Sequence, residues 1–472
     1  MISDHMRRLP FLTIVLLFCT PLPSIAQHLG LSDKYAQYDG DRLSPAFHKS
    51  RRDSVAYYMP KRSLALFVSA TQKNRANDVS YEYHQDPNFY YLSGHIQPNA
   101  ALILYKTSDN SVEQILFVDK KDPARETWTG IRLGVEGAKE LLGFKNAYTI
   151  DRLRAVLDSL LPQVDTFYYT NPDPNKLSDA LLDSTIYLAT AIRNSVEQHF
   201  PKVTIASLTK VLTRLRMIKA TEELDLMRIA IGISNQAHNA ILRTVRPGWY
   251  EYEIQALGEY HFKKRGAEYT GYPCIVGTGN NSTILHYETN RRQTVDGDFV
   301  EMDIGSEYHG YSADVTRSFP VNGHFTPEQK AIYDIVYEAQ DSGINAARIG
   351  NDFKAPHQAA LSVIQKGLMK LGIIKSPDEY RQYFMHGTSH YLGLDVHDPG
   401  TYGPLQANMV ITVEPGIYIK EGSPCDPKWW KIGCRIEDDI LISEREPINL
   451  SVGSPRSSED VEAFMTKGQN RK

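Results

Sequence analysis

Phe299-Val300-Glu301-Met302-Asp303-Ile304-Gly305, followed by Tyr311-Ser312-Ala313-Asp314-Val315-Thr316, is the stretch on which the reading of this chain turns. Both segments are rich in β-branched and aromatic residues, yet each carries acid. Side chains alternate faces along a strand, so Glu301 and Asp303 share one face while the other is apolar. A turn through Glu307 to Gly310 would pair the segments as a hairpin and bring Asp303 close to Asp314. Two carboxylates held together away from water raise each other's pKa unless a positive charge lies between them, and a divalent cation is the natural candidate.

The anomaly recurs downstream. Val413-Glu414-Pro415-Gly416-Ile417-Tyr418 sets Glu414 in an apolar run, and Arg435-Ile436-Glu437-Asp438-Asp439-Ile440 does the same for Glu437. Between them stand Met385-His386-Gly387-Thr388-Ser389-His390 and Asp395-Val396-His397-Asp398. Neutral imidazole binds divalent transition ions well, which makes His390 a fifth ligand beside Asp303, Asp314, Glu414 and Glu437. Four carboxylates would balance two divalent ions. Taken singly, each of these residues also reads as a turn acid, a core histidine or a solvated acidic face; the argument rests on their joint appearance inside apolar strands.

Around this stretch the chain is organised in two parts. At 472 residues it exceeds the size at which one hydrophobic core stops growing. From about Ser54 to Thr190, short apolar runs such as Ala100 to Tyr105 alternate with helical stretches such as Ile150 to Leu161, an α/β pattern with a turn at Asn171-Pro172-Asp173-Pro174. From about residue 208 the texture is α+β. A helix begins at Thr221 and ends at Pro247-Gly248, and another runs from Tyr252 to Lys264. Strands over Phe299 to Ile304 and Tyr311 to Phe319 follow, then helices over Pro327 to Arg348 and Ala355 to Leu371. Strands through Val410 to Ile419 and Gly433 to Ile442 close the pattern.

A net charge of -4 with mixed signs gives no footprint for nucleic acid or an anionic membrane. The N-terminus reads as an export signal: Arg7 and Arg8 precede an apolar run from Leu9 to Cys19, and Ser24-Ile25-Ala26 offers small residues at a cleavage site before Gln27. The run is too short to span a bilayer. A lipidated Cys19 is the alternative, with bulky Phe18 against it. The expected organisation is therefore a signal over 1–26, an N-terminal domain over 27–207 and a catalytic domain over 208–472, exported to the periplasm or the exterior. Cys425 and Cys434 are spaced so that they either pair in that oxidising setting or stay as thiols.

With these motifs in order, the chain closely resembles the aminopeptidase P branch of the pita-bread metallopeptidases. The resemblance rests on the segments around Asp303 and Asp314, on His386 through Asp398, on Val413 through Tyr418 and on Arg435 through Asp438. It extends to Gly277-Thr278-Gly279-Asn280-Asn281-Ser282-Thr283-Ile284-Leu285-His286-Tyr287, to Arg75 with Asp78, to Gln85 through Gly94 and to Glu126-Thr127-Trp128-Thr129-Gly130. It implies a pita-bread catalytic domain preceded by an α/β aminopeptidase P N-terminal domain. It also implies a centre of two divalent ions, manganese in the first place and cobalt, zinc or iron by ligand type. Cleavage is expected before a proline in second position. The implied roles are proton transfer by Glu414, oxyanion stabilisation or peptide orientation by His397 and His286, and a proline-side wall from His386 and Arg435. Tyr272 and Tyr418 are expected to offer ring faces to the substrate, and a tryptophan at the place of Trp128 implies a homo-oligomer, dimer or tetramer. The rival reading is a prolidase restricted to Xaa-Pro dipeptides. One departure is Cys434, where relatives carry an aliphatic residue.

Overall fold

The structure, a computed structural model, describes residues 34–169 and 184–469. The export signal over 1–26 and the turn at 171–174 lie outside the described residues. Among the described residues no helix is long and apolar enough to cross a membrane.

The N-terminal half is built on a mixed six-stranded sheet, in the order Asn146–Thr149, Ser111–Val118, Ala101–Ser108, Ser63–Val68, Thr166–Tyr169, Thr204–Ala206. Ser63–Val68 runs antiparallel to Ala101–Ser108 and parallel to Thr166–Tyr169. Leu64, Leu66, Ala101, Ile103 and Phe167 are fully buried, as the near-continuous apolar runs of a sheet covered on both faces require. The helix Pro87–Ser93 starts on an Asp86 side chain that accepts from Phe89 N and ends at Gly94 in the left-handed region.

The second half wraps helices around short antiparallel strands. Thr221–Thr244 and Glu251–Lys264 form one wall, and Pro327–Ala346 and Ala355–Lys370 another. Thr326 and Gln329 form a reciprocal capping box ahead of Pro327, which explains where the third helix begins. One core gathers Val300, Met302, Ile304 and Phe319 of the strands with Ile241, Phe262, Tyr333 and Ile364 of the helices.

The strands pair differently from the expected hairpin. Phe299–Asp303 is central, between Ile275–Thr278 and Thr316–Pro320, with Asp303 opposite Thr316 rather than Asp314. Ser306–Tyr308 and Tyr311–Ser312 bud off as a separate small hairpin with His309 and Gly310 at its tip. The cause is a backbone crossing at the hairpin's base: a Cβ on Gly305 would lie 1.9 Å from the Ala313 carbonyl oxygen, so only glycine fits there. Asp314 thus sits in an irregular link between the small hairpin and Thr316–Pro320. Gly416–Ile419 pairs Ile432–Arg435, and Val410–Val413 pairs Asp438–Leu441, in two further antiparallel sheets. Cys425 and Cys434 are free thiols, Cys434 wholly buried in the strand Ile432–Arg435.

Candidate metal centre

A cavity of about 440 Å³ opens over the ends of these strands. Asp303, Asp314, Glu414, Glu437 and Arg435 line it. Tyr272, Leu285, His286, His386, His390 and His397 line it as well. The five residues read as ligands therefore face one space, as do all three accessory histidines.

The ligand set is held by its own neighbours. His390 Nε2 lies 3.3 Å from Asp314 Oδ2 and 3.5 Å from Glu414 Oε1, while its Nδ1 faces Tyr391 O at 3.1 Å. Ligand atoms of Asp314, His390 and Glu437 fall within 4.8 Å of one another. The Thr316 hydroxyl donates to Glu437 Oε2 at 2.6 Å, and the backbone N–H of Asp314 donates to Asp439 Oδ2 at 3.1 Å. The Tyr272 hydroxyl donates to Asp303 Oδ1 at 2.5 Å, and Arg435 Nη2 donates to Asp303 Oδ2 at 2.7 Å.

This geometry fits a divalent cation. Asp314 Oδ1 is buried with no hydrogen-bond partner, which a bound cation would satisfy. Burial pushes Asp314, Glu414 and Glu437 up from the carboxylate range, and each is pushed further by neighbouring carboxylates. Burial would lower His390, but Asp314 and Glu414 together lift it to about 9. A site that clings to protons in this way is short of positive charge, and hard and borderline ions suit an oxygen-rich set with one imidazole.

The accessory residues divide into cavity wall and support. The His397 ring stands edge-on to His390 at 4.5 Å. His386 Nε2 meets the Tyr418 hydroxyl at 2.9 Å, and burial, helped by the Arg435 charge, lowers its pKa to about 3, so it stands as neutral imidazole. Tyr418 does not line the cavity. Its ring is buried behind His386 and its hydroxyl accepts from Arg435 Nη1 at 2.9 Å, so it supports the wall instead of offering a face. Tyr272 reaches the cavity and turns its hydroxyl to Asp303. Trp128 stands 88% exposed on the helix Pro123–Thr129, away from this cavity.

Several supporting residues have no sequence signal of their own. Arg317 is wholly buried; its guanidinium donates to Glu437 O at 2.7 Å and Asp438 Oδ1 at 2.7 Å, fixing the backbone beneath a ligand. Asp398 accepts from Arg216 Nη2 at 2.5 Å and Lys219 Nζ at 2.9 Å, which anchors the loop carrying His397 to the segment between the two halves. Gly393 is required there, because a Cβ would meet Asp398 Oδ2 at 2.6 Å. Apart from the extra acid at Glu301, which shares a strand face with Asp303, these contacts join residues far apart in the chain.

Comparison with known proteins places the chain. The family model described as Metallopeptidase family M24 matches residues 225–444, and that of Aminopeptidase P, N-terminal domain, matches residues 48–168. The chain is 36% identical to the Xaa-Pro aminopeptidase of Escherichia coli (strain K12) over 434 residues, covering 89% of this chain and 98% of that protein. It is 37% identical to the Xaa-Pro aminopeptidase of Haemophilus influenzae over 429 residues, covering 88% and 96%. Its fold matches the solved structure of aminopeptidase P from Escherichia coli with the inhibitor Pro-Leu at a TM-score of 0.84 and 35% identity, over 91% of this chain and all of that one.

Proposed function

The chain belongs to metallopeptidase family M24 as a member carrying the aminopeptidase P N-terminal domain, and from that membership we propose that it releases the N-terminal residue from peptides with proline in second position. The reaction is metal-dependent hydrolysis of an Xaa-Pro bond. The observation that carries this reading is the convergence of Asp303, Asp314, His390, Glu414 and Glu437 on one cavity that three further histidines also line.

In the proposed arrangement those five residues hold two divalent ions, manganese by the resemblance. The ions, when bound, supply Lewis acidity that makes a water nucleophilic near neutral pH. The remaining steps belong to the chain. Glu414 lines the cavity and accepts at Oε1 from the Thr412 hydroxyl at 3.2 Å, leaving Oε2 to take a proton and hand it to the departing proline nitrogen. His286 and His397 both line the cavity, where an imidazole N–H would donate to the scissile carbonyl oxygen as charge develops on it. The neutral His386, braced by Tyr418 and through it by Arg435, forms the proline side. A proline in that position has no N–H to place in an extended hydrogen-bond ladder, so a shaped wall suits it better than a strand edge.

Two further readings accompany this one. The basic-then-apolar N-terminus supports export with cleavage after Ala26, to be tested by N-terminal sequencing of the extracytoplasmic fraction. The exposed Trp128 supports a homo-oligomer, to be tested by light scattering of the native chain against Trp128→Ala.

The deciding experiment offers the manganese-loaded protein Xaa-Pro-Xaa tripeptides and Xaa-Pro dipeptides side by side, with Asp303→Ala as control. Release of the first residue from tripeptides, lost in the control, is the expected result. Cleavage of dipeptides alone would move the assignment to prolidase.

A further inference from the structure

Beneath the ligands lies a fifth carboxylate that the reaction does not use. Glu301 is fully buried, and neither of its carboxyl oxygens has a hydrogen-bond partner among the described residues. Its Oε1 nevertheless lies 2.5 Å from Arg435 Nη2. The same nitrogen donates to Asp303 Oδ2 at 2.7 Å. The rest of the guanidinium is committed: Nε donates to the Thr316 hydroxyl at 3.2 Å and Nη1 to the Tyr418 hydroxyl at 2.9 Å. Arg435 is thus fixed on two sides, while its third corner is shared between a candidate metal ligand and an acid with nothing else to bind.

A guanidinium and a divalent cation compete for one carboxylate, since each repels the other. Each Asp303 oxygen already accepts one hydrogen bond, Oδ1 from Tyr272 and Oδ2 from Arg435. A cation at Asp303 is opposed by the Arg435 charge as long as Nη2 holds Oδ2, and Glu301 is the carboxylate already in contact with that nitrogen. We propose that Glu301 is a positioning residue for the metal centre: it takes Arg435 Nη2 over from Asp303 when divalent ions bind, so that the guanidinium keeps bracing Tyr418 without contesting the ligand. The inference rests on the reading of Asp303 as a ligand. It predicts that Glu301 acts through Arg435 and not as a general attractor of cations.

The test is calorimetric titration of manganese into the metal-free proteins, with thermal unfolding of each as the check on folding. Glu301→Gln should raise the manganese Kd about tenfold or more, in the range seen for groups that support metal ligands. In an Arg435→Met background, adding Glu301→Gln should change the Kd by less than about twofold, because the competitor is gone. An equal loss in both backgrounds overturns the proposal in favour of simple electrostatic attraction, and no loss in the single variant overturns it outright. If the amide does not fold, Glu301→Leu replaces it in the same comparison. Asp303→Ala separates the two levels: unchanged binding there sinks the ligand reading, whereas weakened binding there beside an unaffected Glu301→Gln sinks only the role of Glu301.

Discussion

Asp398→Asn is the substitution from which the structure predicts most. Asp398 takes two cations on one buried carboxylate, Arg216 at 2.5 Å and Lys219 at 2.9 Å, and the side chains of all three are at most 3% exposed. Burial alone would lift its pKa, but Lys219 and Arg216 outweigh burial and hold it below the ordinary carboxylate range. The amide leaves the cations unequally placed. Arg216 keeps Asp395 Oδ2 at 2.7 Å and Asn88 Oδ1 at 2.9 Å, whereas among the described residues Lys219 keeps one hydrogen bond, to the Arg216 carbonyl at 2.6 Å. Removing one partner of a buried pair costs about 3 to 5 kcal/mol, a large part of the 5 to 15 kcal/mol or so that holds a typical protein folded. Chemical denaturation at pH 7 measures this loss directly. Because Lys219 carries most of the penalty, Lys219→Met in the Asp398→Asn background should recover at least about 1 kcal/mol as a coupling term. A carboxyl with a depressed pKa stabilises above its unfolded value and ceases to do so as pH falls through the folded one, so the gap between wild type and variant should narrow in acid. Activity should fall as well, since the same loop carries His397 and a misplacement of about 1 Å costs about a hundredfold. A loss under about 1 kcal/mol, or strict additivity with Lys219→Met, would refute the claim that this triad anchors the loop.

Other perturbations follow from single contacts. His95 is buried with Nε2 unpartnered, and burial lowers its pKa to about 4; the unfolded chain binds the extra proton below its ordinary value, so stability should fall between about pH 6.5 and 4, by about 3 kcal/mol at the end. His95→Phe should flatten that limb of the urea midpoint plotted against pH, and an unchanged limb would count against a neutral His95. Thr316→Val removes the hydroxyl that donates to Glu437 at 2.6 Å and accepts from Arg435 at 3.2 Å; calorimetry should show manganese binding about tenfold weaker or worse, with the circular dichroism spectrum unchanged. Gly305→Ala sets a methyl 1.9 Å from the Ala313 oxygen and should cost about 3 kcal/mol or prevent folding, measured by thermal denaturation. Chelation should lower the thermal midpoint of the loaded protein, and readdition of manganese should restore it, rising with the logarithm of the free ion concentration above the Kd.

How much of this was legible in the sequence depends on distance along the chain. Local pattern carried far: alternation along Phe299–Asp303 put Glu301 and Asp303 on one face, and both do approach the same Arg435 nitrogen. The apolar runs marked the central strands, and the helix expected from Pro327 does begin there. Pairing was less legible. The turn expected through Glu307 to Gly310 is confined to His309-Gly310, with Glu307 and Tyr308 in a strand; the hairpin is only a short branch, and the sheet continues from Asp303 to Thr316. Strand propensity cannot report that Gly305 and Ala313 cross in van der Waals contact, because that crossing is a property of two backbones and not of either segment's composition.

Glu437-Asp438-Asp439 shows the same limit from the side of charge. Three consecutive acids read as a solvated face as readily as a ligand, and all three are buried to 1% exposure or less. Each is neutralised or bonded by a different distant group. Glu437 accepts from the Thr316 hydroxyl, Asp438 pairs with Arg317 at 2.7 Å and accepts from Gln340 at 3.0 Å, and Asp439 accepts from the Asp314 backbone. Burying such a run without partners would cost several kcal/mol per charge, so the partners had to exist, but their identity depends on which strands lie side by side. Arg317 completes the case. It is flanked by Thr316 and Ser318 in a strand that could present it to solvent, yet it is fully buried and also donates to Pro455 O at 3.0 Å. Its charge is therefore spent inside, against Asp438, and its remaining donors tie the segment after the last strand to the backbone of Glu437. Sequence can thus nominate the residues whose chemistry is unusual for their surroundings. The residues that make those surroundings tolerable are selected by the fold and become visible only with it.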